Sequence, residues 1–116
     1  MAEHNMVDTV RTRSIGLPGR ALNSARTHHF VLDSSSGPSE ALTNSEAFLA
    51  GISSCGVTLI EKYAQQVALP VTRIEVTITG TRSATPARFD RIGMRFEFHG
   101  VGPEDAEKLV AVWRER

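Results

Sequence analysis

The only cysteine in the chain, Cys55, stands in the segment NSEAFLAGISSCGVTLIEKYA, residues 44–64. A thiol there can do one of two things. It can fill space as a small hydrophobe on an apolar helix stripe, or it can act as a nucleophile and redox centre. Its position does not help reactivity. Cys55 lies well into the helix, beyond the partial positive charge of the N-terminus. An unassisted thiol with a pKa near 8.5 is only about 3% thiolate at pH 7. Lowering that pKa by about 3 units takes roughly 4 kcal/mol. One guanidinium about 4 Å away supplies roughly 4 kcal/mol at an effective dielectric of about 20, but only about 1 in bulk water. A reactive Cys55 therefore needs one arginine in a semi-buried pocket, and neither a histidine nor a metal.

Other candidates carry less chemistry. His28 and His29 are adjacent, and adjacent residues of a strand point to opposite faces, so they cannot chelate together. The stretch GLPGR, residues 16–20, lacks the strand-to-helix context of a phosphate loop and reads as a turn. Glu46 follows Thr43 at capping-box spacing, which gives it a structural role at a helix start.

The elements that must position these residues follow from periodicity. Residues 7–16 (VDTVRTRSIG) read as a strand, and ALNSART with HHFVLD as two short strands or one bent strand. A Ser-, Gly- and Pro-containing loop covers residues 34–45. Phe48, Ile52, Cys55, Leu59 and Tyr63 then recur at helical spacing, with Leu49, Gly56 and Ile60 beside them. The spacing predicts a long central helix from about Asn44 to Val67, stopped by Pro70. VTRIEVTITGTR and DRIGMRFEFHG both alternate, and the turn SATPAR joins them into a hairpin. Ile74, Val76 and Ile78 share one face with Ile92, Met94, Phe96 and Phe98; Arg91, Arg95, Glu97 and His99 face outward. Pro103 and the acidic residues after it open a second helix, with Ala106, Leu109, Val110 and Trp113 on its buried side. The order is that of an α+β fold in a single domain over residues 1–116. The chain stops on the last turn of this helix at Arg116, which reads either as a fraying terminus or as a shortened ending that lacks the domain's usual close.

Composition narrows the function. Lys and Arg total 13, Asp and Glu total 13, and the net charge is zero across 116 residues. That balance argues against nucleic acid or an anionic membrane as the main partner. The apolar runs are too short to span a bilayer, and no secretory signal is visible. One cysteine cannot form an internal disulfide. The cytoplasm is the expected compartment.

The helix EAFLAGISSC, the hairpin entry in YAQQVALPVTRIEVTITGTR and the acidic-start helix GPEDAEKLVAVW occur together in an order that resembles the OsmC/Ohr family. The names stand for osmotically inducible protein C and organic hydroperoxide resistance protein. The similarity runs from about residue 37 to the end, and more loosely over the N-terminal strands. The resemblance implies an intertwined homodimer with two long central helices packed against sheets from both chains. It implies a thiol-dependent peroxidase that reduces small organic hydroperoxides in oxidative-stress defence, with no cofactor and no metal. Cys55 matches the peroxidatic position, Glu46 the helix-start glutamate, and Arg20 the hairpin arginine, with Arg13 as its rival. In the family a second cysteine, just after the last helix, resolves the sulfenic acid; this sequence has none, so an external thiol would have to do so. The alternative is a non-catalytic dimeric module that binds an apolar small molecule.

Overall fold

The computed structural model describes residues 5–84 and 87–115. Along the chain lie β1 (Arg11–Ser14), β2 (Arg20–Ala25), β3 (His28–Asp33), α1 (Asn44–Gln66), β4 (Arg73–Ala84), β5 (Ala87–His99) and α2 (Pro103–Glu115). This is the expected α+β order of strands, long helix, hairpin and second helix. The chain divides into two compact units, Met1–Ala47 and Phe48–Arg116.

In the first unit, β1, β2 and β3 form an antiparallel meander. The first strand is shorter than the alternation of residues 7–16 suggests. β1 opens with Arg11 opposite Ser24, and β2 ends one residue later at Ala25, so residues before Arg11 have almost no strand left to pair with. ALNSART and HHFVLD resolve into two strands joined at Arg26 and Thr27, with Ala25 opposite His28. The GLPGR segment is a turn. Gly16 and Gly19 have φ of 86° and 84°, values glycine adopts without steric cost, and the Arg20 N–H donates to the Leu17 carbonyl at 3.1 Å. The Ser34 N–H donates to the Gly19 carbonyl at 2.7 Å, and a β-carbon on Gly37 would lie 2.4 Å from that oxygen. Close backbone contact between turn and loop therefore fixes the mouth of the β2–β3 hairpin.

α1 starts at the capping box. The Glu46 N–H donates to Thr43 Oγ1 at 3.1 Å, and the Thr43 N–H donates to Glu46 Oε1 at 2.9 Å. The helix ends one residue before the expected boundary in a Schellman arrangement. Leu69 N–H donates to the Ala64 carbonyl at 2.9 Å, Ala68 N–H to Gln65 at 3.3 Å, and Ala68 takes a left-handed φ of 56°.

In the second unit, β4 and β5 pair in the register the alternation predicts: Ile74 opposite Phe98, Val76 opposite Phe96, Ile78 opposite Met94. The tip of the expected SATPAR turn, Thr85 and Pro86, lies outside the described residues. Ile60, Ala64 and Leu109 are buried, with Tyr63, Leu69, Ile74, Phe96, Phe98 and Trp113 half-buried around them. α1 buries the line Gly56–Ile60–Ala64 and not the line through Phe48 and Cys55, both of which are exposed. Gly56 explains the choice. A β-carbon there would already touch the Trp113 indole at 3.4 Å, so its absence lets α2 approach closely. The indole N–H donates to Met94 Sδ at 3.4 Å. Among the described residues, no helix is long and apolar enough to cross a membrane.

Candidate functional site

Cys55 projects from the exposed side of α1 in the second unit. Ile52 and Leu59 flank it along the helix, and serines and a threonine stand close by in sequence. The Thr58 hydroxyl donates to the carbonyls of Ser54 (3.1 Å) and Cys55 (3.3 Å), and the Ser53 hydroxyl to that of Ala50 (3.3 Å). These bonds tie down serine and threonine side chains that would otherwise compete with the helix, and they leave the thiol open to reagents.

Arg20 lies in the first unit and is held tightly. Its Nε donates to Asp33 Oδ1 at 2.6 Å and its Nη2 to Asp33 Oδ2 at 2.9 Å, a two-pronged pair set by the β2–β3 register, in which Arg20 faces Asp33. Nη2 also lies 3.4 Å from Glu40 Oε1. Asp33 is fully buried, and its Oδ2 also accepts the backbone N–H groups of Glu40 and Ala41, both at 2.9 Å. The Arg20 guanidinium, seconded by those two N–H groups, holds the Asp33 carboxyl well below the usual carboxylate range against the opposing effect of burial. The hydrogen bond to Asp33 in turn raises Arg20. Asp33 N–H also donates to the Leu42 carbonyl at 2.9 Å, and Asp33 bridges Thr43, so the same residue anchors the chain leading into α1.

Glu46 and Arg20 do not share a described hydrogen bond. Glu46 is engaged with Thr43, while Asp33 and Glu40 orient the guanidinium. Sequence reasoning passed over both of those acids. Arg13 lies exposed on β1, opposite Leu22, on an open sheet face. His28 and His29 alternate across the sheet as adjacent strand residues must; His29 Nδ1 is 2.7 Å from Ser24 Oγ. On the outer face of the β4–β5 hairpin, Glu75, Glu97 and His99 bring one potential metal-ligating atom each within 4.8 Å of one another. Arg73 pairs with Glu75 and Arg95 lies 3.6 Å from Glu97, so these carboxylates already have counter-charges.

The depressed Asp33 gives a pH prediction. A carboxyl whose folded pKa lies below its unfolded value of about 3.9 stabilises the fold fully above that value. The contribution is lost as pH falls through the interval down to the folded pKa. Acid titration of the wild type, followed by circular dichroism, is expected to show this loss only below about pH 4. Asp33→Asn should be less stable at neutral pH and should lack that acid-sensitive component. Equal acid sensitivity in both proteins would contradict the assignment.

The chain matches the family described as OsmC-like protein over residues 37–116. No curated protein matches it in sequence. Several solved structures share its fold. The OsmC-like protein of Mycoplasma pneumoniae superposes with a TM-score of 0.87 at 13% identity, covering 97% of this chain and 84% of that one. An organic hydroperoxide resistance protein OsmC of Legionella pneumophila gives 0.75 at 18% identity, covering 97% and 85%. The organic hydroperoxide resistance protein OhrB of Bacillus subtilis gives 0.66 at 16% identity, covering 95% and 84%. With the family match spanning most of the sequence and the strand–helix–hairpin–helix order in place, this chain belongs to the OsmC-like family.

Proposed function

We propose that this protein is a cysteine-based peroxidase that reduces small organic hydroperoxides in oxidative-stress defence in the cytoplasm. The observation that carries the reading is the exposure of Cys55. A space-filling cysteine belongs on the Gly56–Ile60–Ala64 line; this one stands on the exposed side of the helix. The Cys55 thiolate attacks the distal peroxide oxygen. An S–O bond forms, the O–O bond breaks, and the departing alkoxide takes a proton to leave as an alcohol. Cys55 is oxidised to sulfenic acid while the peroxide is reduced by two electrons. One external thiol then condenses with the sulfenic acid and releases water; a second cleaves the mixed disulfide and restores Cys55. In this reading Arg20 of a second copy holds the thiolate and stabilises charge on the leaving oxygen, and Glu46 of that copy closes the pocket at its helix start.

The protein acts as a homodimer in this reading. Among the described residues Ile60, Ala64 and Leu109 form the buried hydrophobic core, while Phe48 remains 56% exposed on α1. A second copy would cover such apolar surface. The test of function is the rate at which Cys55 consumes an organic hydroperoxide. It should exceed that of free cysteine by orders of magnitude; equality would remove the enzyme reading.

A groove of about 490 Å³ between β5 and α2 favours the second reading, a module that binds an apolar small molecule. Phe96, Phe98, Ala106 and Val110 line it, with Glu107 and Arg114 also in its wall, and its volume is that of an ordinary ligand site. Saturable binding of an apolar ligand with an inert Cys55 would select it.

A further inference from the structure

We propose that the N-terminal sheet carries a second site, for an oligoanionic small molecule bearing two or more phosphate or carboxylate groups, held by Arg11, Arg13 and Arg26. This inference goes beyond the peroxidase reading and does not rest on it. Side chains two apart on a strand share a face. Arg11 and Arg13 therefore stand together on β1, opposite Ser24 and Leu22 of β2. With Thr12 and Arg26, these residues line one cavity of about 450 Å³.

Four features point to a multiply charged anion. First, none of Arg11, Arg13 and Arg26 has an ion pair among the described residues, whereas Arg20 is engaged by Asp33 and Glu40. Second, no carboxylate among the described residues lines the cavity, although acids and bases balance across the chain as a whole. Three guanidiniums around one space repel each other until an anion joins them, and their planar forks suit phosphate and carboxylate oxygens. Third, Arg26 occupies the two-residue β2–β3 turn at a left-handed φ of 55°, a conformation glycine or asparagine adopts more readily. A turn chosen for backbone ease alone would not place arginine there. Fourth, Phe30 pairs with Asn23 and so points to the opposite sheet face. On the arginine face the register places His29, its ring hydrogen-bonded to Ser24, but no Phe, Tyr or Trp among the described strand residues, and the net charge of the chain is zero, which favours a small oligoanion over a nucleic acid.

Titration calorimetry of the full chain at low salt, with inorganic pyrophosphate and with citrate, tests the site. Wild-type protein should bind at least one of them saturably at one site per chain. Tighter pyrophosphate binding would assign the phosphate source, and tighter citrate binding the carboxylate source; both support the site. Arg26→Asn suits the left-handed turn and should preserve the hairpin, yet it should weaken binding about tenfold or more. Arg11→Gln should do the same. Arg91→Gln, on the separate β4–β5 hairpin, should change nothing. No saturable binding of either anion overturns the proposal. So does equal weakening by Arg91→Gln and Arg26→Asn, which would signal diffuse attraction only.

Discussion

A Cys55→Ser protein is expected to consume no organic hydroperoxide, with its circular dichroism and melting temperature close to wild type. The expectation has a physical and a chemical half. Cys55 is exposed on α1, and the buried line of the helix runs through Gly56, Ile60 and Ala64. Exchanging sulfur for oxygen there creates no cavity and strands no buried polar group, and surface substitutions of this kind stay within about 0.5 kcal/mol. Chemically, a serine hydroxyl at neutral pH is a far weaker nucleophile than a thiolate and cannot cycle through a sulfenic acid. The sequence holds no other cysteine to substitute for it. Loss of activity with an intact fold assigns the reaction to the thiol. Retained peroxide consumption would assign it elsewhere.

The second large effect is recovery of activity on mixing two inactive proteins. Glu46 and Cys55 are nine residues apart, which on an ideal helix is about 13.5 Å of rise and about two and a half turns. They leave nearly opposite sides of one straight helix. If they serve one site, Glu46 and Arg20 come from the neighbouring copy, brought to Cys55 by antiparallel packing of two long helices. A Cys55→Ser chain paired with an Arg20→Ala chain then contains one intact site, in which the thiol of one meets the guanidinium of the other. Each parent should be inactive or nearly so, since removing one donor to a developing oxyanion costs about a hundred- to a thousandfold. After subunit exchange about half of the dimers are mixed, so about a quarter of wild-type activity should return. Arg20→Ala alone leaves the buried Asp33 carboxylate unpaired, which threatens the first unit. The paired change Arg20→Ala with Asp33→Ala removes both charges and serves as the second arginine-deficient parent. Confirmed heterodimers without activity would locate the whole site in one chain.

Much of this architecture was legible because each signal was local. Alternation in Ile74–Ile78 and Ile92–Phe98 set the hairpin faces, Thr43 and Glu46 set the start of α1, and Pro103 set the start of α2. Two features of the candidate site were not local. Asp33 as the partner of Arg20 depends on where β2 turns into β3. With Ala25 opposite His28, the register places Arg20 opposite Asp33, but the turn residues Arg26 and Thr27 carry none of the usual glycine or asparagine signal. The strand was therefore as readable bent as broken, and the pair stayed hidden. The exposure of Cys55 was ambiguous for a different reason. The apolar stripe of α1 is wide enough to allow burial through residues 48, 52 and 55 or through 56, 60 and 64. Tertiary packing chose the second, where Gly56 admits the Trp113 indole.

Intact-mass measurement after one equivalent of an organic hydroperoxide tests the central claim most directly. The account predicts rapid addition of a single oxygen atom at Cys55, the sulfenic acid, which an added thiol reverses. Excess peroxide should then add further oxygen irreversibly, because no second thiol in this sequence can trap the sulfenate. A protein whose mass is unchanged after an exposure that oxidises free cysteine would contradict the assignment of Cys55 as the peroxidatic residue.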